Sequence, residues 1–327
     1  YQFVVKYVTA DDEEREPLER SYTAPAAPKP VWEDASGAIA FAGEAEDSVL
    51  ITWPAAVVEP ELPGLTVAYR VGLLKYEYAE GSLYAPYPPE TVDGILSNSY
   101  ALSVDPYAYK YDITVEAYLP EFPSPAAGLS GTYEPVVNFP DPKLEEAVRP
   151  FLGIGSGQPV TRTKMLNLPV LPIAGLGISD LTGLQYALNL EELDISRNAV
   201  SDLSPLSSLT NLKVLSANYN LVSDLSALAG PPLERLFLRF NLIEDLTPLI
   251  DIYVVSDYFG VGLKDVDIFG NPYEGLGNLD VIDILEISGV GFAKNGSNVY
   301  YGDFAHIAAS AGAVKAGDAL NLTVSVA

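Results

Sequence analysis

A spaced set of leucines and asparagines recurs through the middle of the chain. Leu190, Leu193, Ile195 and Asn198 return as Leu212, Leu215, Ala217 and Asn220, then as Leu233, Leu236, Leu238 and Asn241, at steps of 22 and 21 residues. A fourth copy, Leu263, Val266, Ile268 and Asn271, follows an insertion centred on Asp251 to Phe259, and Leu168, Leu171 and Ile173 form a degenerate opening copy. A fixed period of this length means coils stacked in one direction. One coil cannot bury its own apolar face, so each must lean on its neighbours. The leucines are expected to point inward. Each asparagine is expected to satisfy backbone groups at a sharp turn and so join coil to coil.

The return half of each coil repeats as well. Ser201-Asp202-Leu203, Ser223-Asp224-Leu225 and Glu244-Asp245-Leu246 each precede a short polar turn, and the acid suits the cap of a 3₁₀ or helical turn. In front, 139–149 opens with Pro140, Asp141 and Pro142 and continues with helical spacing, the pattern of a capping helix. Together with Pro159-Val160-Thr161, Met165 and 177–187, these residues resemble the leucine-rich repeats and N-terminal cap of bacterial internalin-type surface proteins. The resemblance covers about 138–275. It implies a secreted or surface-exposed protein that binds a partner protein on the concave sheet. Carried over position by position, that face holds Asp194, Arg197, Tyr219, Arg235, Phe237, Arg239, Phe240 and Phe269. Aromatics beside arginines have the composition of a binding hot spot. The same aromatics could instead cover the edge of the insertion or dock the C-terminal segment. The insertion before Leu263 raises the question of whether the sheet stays regular at that end.

Upstream, 25–138 contains short alternating runs separated by Pro-, Gly- and acid-rich loops. Val49 to Trp53, Leu65 to Val71, Ser99 to Val104 and Tyr111 to Tyr118 are examples. About seven such runs in roughly 110 residues argue for a β-sandwich. Trp53, Tyr69-x-Val71, Leu102-x-Val104 and the strand from Tyr111 resemble a fibronectin type III domain. In that family the tyrosine matched by Tyr111 bonds back to the preceding loop. The first residues repeat the end of this unit. Tyr1 to Tyr7 and Ser21-Tyr22-Thr23 match Tyr111 to Tyr118 and Gly131-Thr132-Tyr133 at offsets of 110 and 111, which suggests a second copy present only as its last two strands. The many tyrosines here (Tyr76, Tyr78, Tyr84, Tyr87, Tyr100, Tyr107, Tyr109 and Tyr118 among them) are expected to pack or pair across strands, sugar stacking being the alternative.

The expected fold is therefore mainly β and multidomain. Residues 1–24 are the end of a truncated fibronectin III-like domain, and 25–138 are a fibronectin III-like sandwich. Residues 139–275 are a short leucine-rich-repeat solenoid with a helical N-cap, and 276–327 are a small β-rich segment. Within the last, Asn278 to Ile287 reads as a cap turning strand-like, and Ala319 to Val326 alternates cleanly. Both ends look incomplete and the chain starts at Tyr1, so a processed product or a piece of something longer is expected. Open end strands could also pair with another chain.

Charge and composition narrow the function. The net charge is −26 and every segment is acidic, so a nucleic-acid footprint is missing. With no cysteine and the single histidine, His306, in Phe304-Ala305-His306, thiolate chemistry is absent and no triad is recognisable. Gly153 to Gly157 lacks the Lys-Ser/Thr of a phosphate loop. Asp11-Asp12-Glu13-Glu14 is the one cluster that could hold Ca²⁺, without the spacing of an EF-hand. Asn295-Gly296-Ser297 and Asn321-Leu322-Thr323 fit a glycosylation pattern by chance. No cofactor, no catalysis, no nucleic acid and no membrane span are expected. The first expectation is an extracellular bacterial module binding a protein or a cell-surface or matrix component. The alternatives are a structural block of a surface filament and a non-catalytic arm of a larger secreted enzyme.

Overall fold

The computed structural model describes residues 2–5, 18–21, 27–34, 37–43, 47–59, 61, 64–79, 81–121, 128–273 and 276–293. The acid cluster at Asp11, His306, both glycosylation patterns and the run from Ala319 lie outside these residues.

β1 (Gln2–Val5) and β2 (Leu18–Ser21) pair antiparallel. Then come β3 (Lys29–Trp32), β4 (Ala40–Ala42), β5 (Ser48–Thr52) and β6 (Ala56–Glu59). The unit is completed by β7 (Ala68–Ala79), β8 (Ser82–Tyr84), β9 (Glu90–Ile95), β10 (Ser99–Ser103), β11 (Lys110–Tyr118) and β12 (Leu129–Tyr133). One sheet runs β10-β5-β4, another runs β12-β11-β7 with β8 and β9 both on β7, and β3 pairs β6. Alternation explains the burial. Val49, Ile51 and Trp53 face inward from one sheet, and Val71, Leu73, Ile113 and Val115 from the other, into one shared core. Trp53 meets Tyr69 edge-on at 5.5 Å between ring centroids. The Tyr111 hydroxyl accepts the Asp105 N–H at 2.8 Å, tying the turn before β11 to the start of that strand. The internal repeat appears in register as well. Gln2 pairs with Ser21 and Asp112 with Thr132, the same offsets of 110 and 111 seen in the sequence.

The sandwich passes straight into the array. α1 (Pro142–Leu152) buries Leu144 and Val148, four residues apart on one face. Gly153 ends it at φ 65°, a left-handed turn closed by its own N–H. α2 (Arg162–Met165) follows. Arg162 is fully buried and reaches back into the sandwich. Its Nη1 donates to the carbonyls of Asp105, Pro106 and Ala108 at 2.9, 3.2 and 2.8 Å, and its guanidinium lies 4.5 Å over the Tyr186 ring. Thr163 Oγ1 donates to the Tyr109 carbonyl at 2.8 Å, and the Tyr78 hydroxyl donates to Asn189. Tyr109 packs into the core of the array, not that of the sandwich.

β13 (Val170–Pro172), β14 (Glu192–Asp194), β15 (Val214–Ser216), β16 (Arg235–Phe237), β17 (Asp265–Asp267) and β18 (Gly291–Ala293) form one parallel sheet in chain order. Leu171, Leu193, Leu215, Leu236 and Val266 sit at the same register and are all buried. The insertion leaves this sheet regular. It becomes α3 (Pro248–Tyr258) on the return side, while Arg235 still pairs with Asp265.

The C-terminal expectation needs correction. The stretch from Asn278 to Ile287 is not strand-like. It lies in α4 (Leu276–Ile287), and β18 then adds a sixth strand to the array. Asn278, Val281, Ile282 and Leu285 are buried, at the i, i+3, i+4, i+7 spacing of one helix face. The run of Ile and Leu masked that period. The array therefore continues through 293, and the described part of 276–327 belongs to it.

Asp141 pins the cap. One carboxylate oxygen accepts the Lys143 N–H at 2.9 Å, and the other accepts the Ser179 N–H at 2.7 Å and the Asp180 N–H at 3.4 Å. Burial pushes this carboxyl up, but the hydrogen bonds outweigh it and hold the group below the usual carboxylate range. A depressed folded pKa contributes stability that is full above the unfolded value, near ~4, and lost as pH falls toward the folded one. Subtracting the stability–pH curve of Asp141→Asn from that of the parent should show a loss confined to the acid side of ~4. A flat difference would contradict it.

Candidate functional face

Each coil ends its strand in a sharp turn just before the asparagine. Arg197, Tyr219 and Phe240 occupy that position in three successive coils at φ 58°, 56° and 52°. Gly175 and Gly270 hold it in the flanking coils at φ 73° and 79°. The left-handed region costs a residue with a Cβ about 1 kcal/mol or more, so three large side chains stand where glycine is the unstrained choice. The backbone makes the turn obligatory. The N–H of Gly175, Arg197, Tyr219 and Phe240 donates to Ser196, Asn218, Arg239 and Phe269 of the next coil at 2.7–2.9 Å.

The asparagines lock this turn. Asn220 Nδ2 donates to the carbonyls of Ile195 and Ala217 at 2.9 and 3.1 Å, and its Oδ1 accepts the Val200 N–H at 3.0 Å. Asn241 repeats the set with Ala217, Leu238 and Val222, and Asn271 with Leu238, Ile268 and Ile243.

Because the turns stack, so do their side chains. The Arg197 guanidinium lies 4.8 Å over the Tyr219 ring, and Tyr219 stacks on Phe240 at 4.7 Å with 18° between planes. Phe240 meets Phe269 edge-on at 5.4 Å and packs against the Cα of Gly270, where a Cβ would come within 2.6 Å of the ring. The result is a ribbon of stacked π groups along the edge of the sheet. Tyr219 and Phe240 are each 41 % exposed. Two residues further along the chain, Leu221 and Leu242 are about half exposed and extend the ribbon into an apolar strip.

The eight residues expected on the concave face thus separate. Arg197, Tyr219 and Phe240 come together on the turn edge with Phe269 behind them. Asp194 stays on its strand, where its Oδ1 accepts the Ser196 N–H at 2.9 Å. Phe237, expected to be exposed, is buried. Arg239 is largely buried against Asp267 and lies over Phe269, and Arg235 faces Asp265 at 3.7 Å. These two arginines serve the fold's own carboxylates. Leu221 and Leu242 were not anticipated. The signal was present in Asn220-Leu221 and Asn241-Leu242, a large apolar residue directly after the turn asparagine where Asn198 is followed by alanine. Among the described residues no cluster of three acidic or histidine side chains could hold a metal, and no helix is long and apolar enough to cross a membrane.

Comparison with known proteins agrees on the repeats. Residues 188–230 match the family model of leucine-rich repeats, in two copies. Among solved structures the chain is similar to an internalin, inlF, of Listeria monocytogenes, with 26 % identity over 43 % of this chain and 46 % of that one at a TM-score of 0.34. It is similar to InlJ of the same organism with 18 % identity over 41 % of this chain and 37 % of that one, TM-score 0.25. A redesigned β-sandwich protein matches 30 % of this chain and 84 % of its own at 19 % identity, TM-score 0.22. The chain spans less than half the length of either of these two internalins. No curated protein matches it. Residues 188–230, with the coils that stack on them in register, are leucine-rich repeats.

Proposed function

We propose that this chain is the non-catalytic, partner-binding part of an extracellular bacterial protein, and that it binds another protein along the concave sheet and the turn edge beside it. The observation that carries this reading is the ribbon of Arg197, Tyr219 and Phe240. Strained backbone coincides with an exposed arginine in one coil and with partly exposed aromatics in the next two, beside Leu221 and Leu242. Strain held at exposed positions is a mark of function more than of packing. The covered ring faces argue against sugar stacking and for contact with a protein. The sandwich is proposed to be a fibronectin III-like spacer, supported by Trp53 against Tyr69 and by the Asp105 N–H on the Tyr111 hydroxyl. The matching register of β1-β2 and β11-β12 supports a preceding unit of the same kind.

The test is a panel of purified cell-surface and matrix proteins passed over the immobilised chain and over its Tyr219→Ser/Phe240→Ser variant. A partner that loses at least about tenfold in affinity on the double substitution supports the reading. A partner that binds both equally, and instead loses affinity when Tyr87 or Tyr107 of the sandwich is changed, would move the site to the other unit.

A further inference from the structure

From the chemistry of the ribbon we infer that the turn edge recognises an apolar segment carrying an acidic side chain. The inference rests on the protein-binding reading above and names what that face takes. Tyr219 lies between the Arg197 guanidinium and the Phe240 ring, and Phe240 is closed on its far side by Gly270 and Phe269. With the faces covered, the rings present their edges. An aromatic edge is the electropositive part of the ring and favours oxygen acceptors, whereas sugars and cations need the face.

Arg197 adds a full charge of the same sign. In the stacked coils Lys213, Arg235, Arg239 and Lys264 each face a carboxylate, from Glu191, Asp265, Asp267 and Glu234. Arg197 has no carboxylate partner among the described residues, although the chain carries 44 acidic residues against 18 basic ones. Stacking on Tyr219 fixes the plane of its guanidinium and leaves its N–H fork for a bidentate acceptor. Leu221 and Leu242 supply the apolar part of the strip. Charge complementarity thus selects a glutamate or aspartate flanked by apolar residues. A second copy of this chain is disfavoured by mutual repulsion at a net charge of −26.

The test uses blocked tetrapeptides on the full chain, read by ¹H–¹⁵N spectra at the Arg197 Nε–H and at the amides of 219–221 and 240–242. Acetyl-Leu-Phe-Glu-Leu-amide should bind saturably and at least about fivefold tighter than its Gln and Lys counterparts. Arg197→Gln should erase the preference. Arg197→Gly, which suits the positive φ, should do the same and guards against a folding defect. Equal binding of all three peptides, no saturable shift, or a preference that survives in Arg197→Gly would overturn the inference. So would equal binding of the Gln peptide with a free C-terminal carboxylate, which would assign the site to a chain end. Should the peptides fail while a panel partner still depends on Tyr219 and Phe240, the chemistry assigned here is wrong and the face is right. Should no partner depend on them, both fail.

Discussion

Replacing Arg162 with methionine is expected to lower the stability of the chain by about 3 kcal/mol and to split one unfolding transition into two. The guanidinium is fully buried and surrounded by three sandwich carbonyls and the Tyr186 ring. Removing it leaves the buried Ala108 carbonyl without its donor and takes one donor from those of Asp105 and Pro106, and an unsatisfied buried acceptor costs about 1–3 kcal/mol. Methionine keeps most of the volume, so the loss is one of hydrogen bonding and not of packing. Both tryptophans, Trp32 and Trp53, sit in the sandwich core. Tryptophan fluorescence therefore follows that unit, and far-UV circular dichroism follows the whole chain. In the parent the two signals should coincide on urea denaturation, and in Arg162→Met they should separate. Arg162→Lys should behave nearly as badly, because an ammonium cannot span the same acceptors. Coincident curves with a loss under about 1 kcal/mol would show that the junction does not depend on this residue.

Substituting Asn220 by alanine should cost about 2–4 kcal/mol, roughly as much as Asn241→Ala and more than Asn198→Ala. The Asn220 side chain is buried, donates to two carbonyls of adjoining coils and accepts the Val200 N–H. Alanine leaves the buried Val200 N–H without an acceptor and takes one of two asparagine donors from each of the Ile195 and Ala217 carbonyls, which keep Asn198 and Asn241. Asn198 makes a similar set, with Leu176, Ile178, Ile173 and Ile195, in a position only partly buried. There, water can replace part of what is lost. Chemical denaturation of the three variants gives the order directly. Equal effects, or effects below about 1 kcal/mol, would mean that the leucine core alone carries the array.

The period of the leucines was enough to place five of the six strands of the array and their inward residues, because stacking forces every coil to bury the same positions. Asp141 and Pro142 announced the cap for the same kind of reason, a local rule about helix starts. Three things were beyond the pattern. The left-handed turn at Arg197, Tyr219 and Phe240 is imposed by backbone pairing between coils, and nothing in those residue types favours it. The pairing of Arg235 and Arg239 with Asp265 and Asp267 depends on which coil lies beside which, across the insertion, so both looked free. Arg162 reads as an ordinary polar residue in a short helix until the sandwich turn at Asp105 to Ala108 is seen against it. The consequence for the face is specific. Its available groups moved from the strands, where Phe237 and the two arginines are engaged, to the turn edge.

The exposed ribbon and the strained backbone that carries it are the centre of the functional account, and one comparison weighs them. Arg197→Gly/Tyr219→Gly/Phe240→Gly relieves about 1 kcal/mol or more of strain at each turn. It forfeits stacking and cation–π contacts of about 0.5–1.5 kcal/mol each. The unfolding free energy of the triple variant should therefore lie within about 2 kcal/mol of the parent, with the fold intact and the binding of any face-dependent partner abolished. A loss beyond about 4 kcal/mol, or a variant that no longer folds, would show that the ribbon is a staple of the array and not a surface kept for a partner.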